Sequence, residues 1–103
     1  MVSKGLTEVA KMAIAVVTLR IMPKSPEIDL EKTKDEVTKL VLEFAGKGDT
    51  RITIEPIAFG LKCINYIFIM DENLGSPDVL SEKVAELKHV QSAEITDVRR
   101  AIG

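Results

Sequence analysis

Three observations predict an α+β fold of the ferredoxin-like type, a βαββαβ sandwich in which a four-stranded antiparallel sheet carries two helices on one face. The spacing of apolar residues switches from alternation to three- and four-residue steps and back, twice over, giving strand–helix–strand and then strand–helix–strand. The two units are of similar size and meet at a turn short enough for a hairpin. Within them the first and third strands are almost wholly apolar, while the second and fourth are half polar. Right-handed crossovers give the spatial order fourth, first, third, second, so the apolar pair takes the centre and the half-polar pair the edges.

The first strand is expected over residues 12–22. Ala13, Ala15, Val17, Leu19 and Ile21 fill one face, and the other runs Met12, Ile14, Val16, Thr18, Arg20, turning polar along its length. Pro23-Lys24-Ser25-Pro26 breaks it. Asp29 can then cap a helix, its carboxylate accepting from the free amides of the first turn, and Leu30, Thr33, Val37, Leu40, Val41 and Phe44 recur along one side. Gly46 and Gly48 end that helix. Residues 50–57 alternate Ile52 and Ile54 against Arg51, Thr53 and Glu55, and Pro56 marks them as an edge strand because proline donates nothing to a ladder.

After the turn Ala58-Phe59-Gly60, residues 61–70 form the third strand, with Ile64, Tyr66, Phe68 and Met70 on the face expected to meet the helices. Cys63, Asn65, Ile67 and Ile69 take the other face. Residues 71–75 break the chain again. Ser76 as cap, Pro77 at the first helical position and Asp78 in the first turn open a second helix, whose inner side is Leu80, Val84 and Leu87. Residues 91–100 close the sheet as an edge strand, with Ala93 and Ile95 on one face and Ser92, Glu94 and Thr96 on the other. Residues 1–10 keep no sustained period and read as a flexible arm ahead of a single domain over residues 11–103.

Composition removes several classes of function. A chain of 103 residues has room for one modest core. Its 14 Lys and Arg against 16 Asp and Glu leave a net charge of −2, without the concentrated basic face that nucleic-acid backbones require. The single cysteine, Cys63, allows neither an internal disulfide nor a paired-thiol metal site, and the single histidine, His89, allows no His-rich zinc site. The apolar stretch over residues 12–19 resembles a signal sequence only superficially, since Thr7-Glu8-Val9-Ala10-Lys11 precedes it and Arg20 follows it. No run approaches the ~18 apolar residues of a membrane span. The expected protein is soluble and cytoplasmic, with no metal and no cofactor.

Catalytic constellations are equally sparse. His89 lies beside Lys88 at a helix end and reads as a surface residue favoured there by the helix dipole. Cys63 reads as a small buried hydrophobe, and the adjacent carboxylates Asp71 and Glu72 as a solvated turn. The first strand-to-helix turn holds two prolines, which cannot donate backbone N–H groups to a phosphate. Tyr66 and Phe68 share the phase of the core, leaving no aromatic platform for RNA bases on the open face.

Two features stay outside this account. The open sheet face carries Met12, Ile14, Val16, Ile67 and Ile69, more apolar surface than water alone should meet; a partner protein, a second copy of the chain in a weak homo-oligomer, or the N-terminal arm would cover it. Phe59 stands at a hairpin tip, where polar residues are usual, and is either folded back over the sheet end or presented as an anchor.

The segment Pro56-Ile57-Ala58-Phe59-Gly60-Leu61-Lys62, followed one strand and one helix later by His89-Val90-Gln91-Ser92-Ala93-Glu94-Ile95, resembles the C-terminal exchange domain of translation elongation factor 1-beta. The chain length and the basic end Asp97-Val98-Arg99-Arg100-Ala101-Ile102-Gly103 are most similar to its short archaeal form. The resemblance implies guanine-nucleotide exchange on elongation factor 1-alpha, the GTPase that delivers aminoacyl-tRNA to the ribosome, without covalent chemistry. It implies partner-binding roles for Phe59, Gly60, Gln91, Ser92, Arg99 and Arg100. Phe59 matches the hairpin-tip aromatic that holds the partner, and Arg100 matches the basic residue that approaches the partner's magnesium site, where the eukaryotic family has lysine. Arginine keeps the charge on a planar, bulkier head, and Arg99 is a second candidate for that role. Two alternatives from other classes remain: a regulatory module that binds a small ligand as a homodimer, and a single-stranded RNA-binding module.

Overall fold

The computed structural model describes residues 14–101. Its elements are strand β1 (Ile14–Pro23), helix α1 (Leu30–Ala45), strands β2 (Thr50–Pro56) and β3 (Lys62–Asp71), helix α2 (Asp78–Ala85) and strand β4 (Val90–Ala101). The four strands form one sheet in the order β2-β3-β1-β4, every neighbouring pair antiparallel. This is the ferredoxin-like order expected from the sequence, with the apolar strands β1 and β3 in the centre. The proposed arm over residues 1–10, and the strand positions Met12 and Ala13, lie outside the described residues.

The register explains the core. Val17 opposes Phe68 and Leu19 opposes Tyr66, so the inner faces of β1 and β3 meet residue for residue. Ala15, Val17, Leu19 and Ile21 are buried with Ile64, Tyr66, Phe68 and Met70 beneath Val37 and Val41 of α1 and Leu80 and Val84 of α2. Each of the large side chains contributes about 1.5–3 kcal/mol by leaving water. Tyr66 and Phe68 also meet edge to face, with ring centroids 6.4 Å apart.

Local chemistry sets the helix ends. The Asp29 carboxylate accepts from the amides of Glu31 and Lys32, and Gly46, at φ 77°, takes the left-handed turn that ends α1. The Ser76 hydroxyl accepts from the Asp78 amide at 3.1 Å, while Pro77, with helical dihedrals, sits one residue ahead of the first regular turn of α2. Ser76 thus caps the helix as expected, one position earlier than the regular hydrogen-bond pattern begins.

Strand β4 departs from simple alternation. Thr18 of β1 opposes Asp97, yet the next residue, Leu19, opposes Ile95, so Thr96 is an extra, bulged residue. A second irregularity lies between Met22 and Pro23, which oppose Ser92 and Val90. On the open face Ile14, Val16, Ile67 and Ile69 are half buried, and the α1–β2 loop comes close enough that a Cβ on Gly48 would stand 2.9 Å from Cγ1 of Ile69. Among the described residues no helix is long and apolar enough to cross a membrane.

Candidate functional site

At one end of the sheet the β2–β3 hairpin closes through Pro56 opposite Lys62, with the Ile57 amide donating to the Leu61 carbonyl at 2.8 Å. Between them Ala58–Gly60 make a single 3₁₀ turn in which Phe59 adopts φ 63°, ψ 30°. That left-handed conformation costs a residue with a side chain roughly 1 kcal/mol. It turns the ring outward, and Phe59 is 94% exposed. Of the two placements open to this residue, the structure adopts the presented one. Beside it a groove of about 340 Å³ runs between the hairpin and the β1–α1 loop, lined by Pro23, Pro26, Ile28, Gly60 and Lys62 among others.

The opposite end is organised by the Thr96 bulge. Without it the alternation that turns Ala93 and Ile95 inward would turn Asp97 and Arg99 inward as well. The extra residue reverses the phase: Val98 opposes Val17 and Arg100 opposes Ala15, both on the helix-covered face, while Asp97 and Arg99 pass to the open face. Arg99 there pairs with Asp97, Nε to Oδ2 at 2.9 Å. Arg100 reaches across the end of β1 to Glu72, donating from Nε to Oε2 at 2.7 Å and from Nη2 to Oε1 at 3.0 Å. The hydrogen bond to Glu72 and its carboxylate charge raise the Arg100 pKa above its ordinary value. The pair borders a cleft of about 420 Å³ with walls from Ala15, Met70, Gly75, Pro77 and Val98.

The two arginines therefore share one end of the sheet but not one face. Gln91 and Ser92, both exposed, lie at the start of β4, at the same end as Phe59 and Gly60. The 10 residues of β3 separate the hairpin from Glu72, which puts Phe59 about 30 Å from Arg100.

Glu72 is the residue that sequence reasoning missed. A solvated turn accounts for Asp71, whose carboxylate accepts from the Asn73 amide at 2.9 Å, but not for its neighbour, which grips an arginine 28 positions away. An acidic residue just past a central strand, level with the basic end of the edge strand two places away in the sheet, was the available signal. The other candidates for chemistry are placed as follows. Cys63 is buried with Sγ 3.7 Å from Oε1 of Glu55; His89 is half-buried just ahead of β4, with its backbone carbonyl accepting from the Lys24 amide. Tyr66 and Phe68 are buried, so no aromatic of β1 or β3 lies on the open face among the described residues. Among those residues no group of His, Cys, Asp and Glu is arranged to hold a metal ion.

The described residues thus place an exposed aromatic at one end of the sheet and an ion-paired arginine at the other. The chain belongs to the EF-1 guanine nucleotide exchange domain family, which it matches over residues 16–101. It is similar to Elongation factor 1-beta of Methanobrevibacter smithii, 43% identical over 89 residues that make up 86% of this chain and 98% of the relative. Elongation factor 1-beta of Methanosphaera stadtmanae is 38% identical over the same shares, and that of Staphylothermus marinus 37% identical over 86% of this chain and 98% of its own.

Proposed function

We propose that the chain promotes GDP release from, and GTP reloading of, elongation factor 1-alpha, and that Phe59 and Arg100 divide the work between anchoring and release. The observation that carries this reading is their placement about 30 Å apart on one rigid sheet. A surface that touches both must be large and extended, as a multidomain GTPase is and a small substrate is not. Phe59 and Gly60, with Gln91 and Ser92 at the same end, hold the partner. Arg100 approaches the magnesium site at the far end, with Arg99 beside it on the other face.

No covalent bond is made or broken, and no cofactor takes part. The domain binds the nucleotide-free GTPase more tightly than the loaded one, and linkage then lowers nucleotide affinity by the same factor. A guanidinium near the metal opposes it by charge, while contact draws the switch segments away from the phosphates. The work is done in the cytoplasm, alongside the ribosome's other soluble factors. The test follows release of a fluorescent GDP from elongation factor 1-alpha. Arg100→Ala is expected to slow release at saturating factor with little change in the concentration needed, and Phe59→Ala to raise that concentration. Unchanged release with both variants overturns the assignment.

A further inference from the structure

We infer that Glu72 is a positioning residue for exchange: it holds the Arg100 guanidinium by its Nε edge and so presents the opposite edge to an oxyanion of the GTPase site. The inference rests on the exchange reading above and extends it to a residue on a different strand end. An arginine near the end of an edge strand ordinarily samples many rotamers, because its stem has several free torsions and its head is well solvated. Here the head is engaged side-on, through Nε at 2.7 Å and Nη2 at 3.0 Å. The guanidinium is planar and carries N–H donors on more than one edge, so a carboxylate at the Nε edge leaves the Nη1 and Nη2 edge free for a second bidentate acceptor such as a phosphate or carboxylate.

The acid is the fixed member of the pair. Glu72 opens the 3₁₀ turn Glu72–Leu74, its own carbonyl accepting from the Gly75 amide at 3.3 Å, and the preceding Asp71 caps that turn. Its side chain is 28% exposed against 69% for Arg100. The Thr96 bulge completes the arrangement, since only the reversed phase of β4 sends Arg100 to the face on which Glu72 stands. Arg99, on the other face, is paired with Asp97 and has no access to this hold.

The experiment compares stopped-flow release of fluorescent GDP from elongation factor 1-alpha by the full chain and by Glu72→Gln, Arg100→Ala, and the two together. The expected result is a maximal rate about fivefold lower for Glu72→Gln, with the half-saturating concentration within about twofold of the parent, and a double variant no slower than Arg100→Ala alone. Glu72→Gln is expected to keep the parent's melting temperature while its release slows, which separates a positioning role from a merely stabilising one. The inference is overturned if Arg100→Ala slows release but Glu72→Gln releases at or above the parent rate, or if Glu72→Gln slows the Arg100→Ala background by the same factor as the parent. If Arg100→Ala itself releases at the parent rate, the role assigned to Arg100 falls first, and this inference with it.

Discussion

Tyr66 donates its phenolic proton to Thr38: the two hydroxyl oxygens lie 2.8 Å apart, and Thr38 has already committed its own proton to the Lys34 carbonyl at 2.9 Å. This bond ties α1 to the centre of β3 beneath a largely apolar interface. Tyr66→Phe keeps the ring and deletes the donor, so it should cost about 1 kcal/mol in denaturant unfolding. Exchange at saturating factor should be unchanged, because Tyr66 is buried on the helix side and far from both ends of the sheet.

Phe59 invites a test in which stability and binding move in opposite directions. Its ring is exposed and its backbone is left-handed, so Phe59→Gly removes a strained residue at little packing cost. Unfolding free energy should stay level or rise by up to about 1 kcal/mol, while the concentration of factor giving half-maximal GDP release rises by about tenfold or more. A large loss of stability in this variant would show that the ring packs in solution.

Gly48 and Ile69 should be coupled. A methyl group at Gly48 would meet Cγ1 of Ile69 at 2.9 Å and Cδ1 at 3.1 Å, contacts that force the isoleucine to turn or the loop to lift. Gly48→Ala is expected to cost about 1–3 kcal/mol in the parent and close to nothing in an Ile69→Ala background, measured as a double-mutant cycle on thermal unfolding.

Replacing Arg100 by lysine keeps the charge and gives up the planar fork that Glu72 grips along one edge through two nitrogens. Release rates at saturating factor should fall in the order parent, Arg100→Lys, Arg100→Ala, with the first step about two- to fivefold. Equal rates for the lysine and alanine variants would show that shape, and not charge, is what the partner reads.

Strands β1 and β3 were legible because each carries a complete apolar face, Ala15 to Ile21 on one and Ile64 to Met70 on the other, and two such faces have no place but the centre of a sheet. The cap at Asp29 and the stop at Gly46 were legible for a different reason, since each depends only on its near neighbours in sequence. Strand β4 was legible only as far as Ile95. A bulge is a property of two paired strands, and nothing in the residues 94–98 announces it; the facing of Arg99 and Arg100, and with it the contact to Glu72, followed from a register the single chain does not display. Phe59 could be located at the hairpin tip, but the direction of its ring turned on one left-handed backbone angle. The family resemblance named Phe59 and Arg100 together, and the predicted topology and strand length already put them at opposite ends of the sheet; the face on which each arginine stands came from the fold.

The Thr96 bulge has a further effect on the molecule's behaviour in a crowded solution. Strand β4 has a neighbour on one side only, and its 12 residues offer water a long outer row of backbone donors and acceptors. Such a row invites another chain to add itself as a strand and, repeated, to build a fibre. The extra residue breaks the spacing of that row near its middle, and Glu94, Asp97, Arg99 and Arg100 place charge of both signs around the break. The irregularity that sends Arg100 to the helix-covered face thus also interrupts the edge as a template for a further strand.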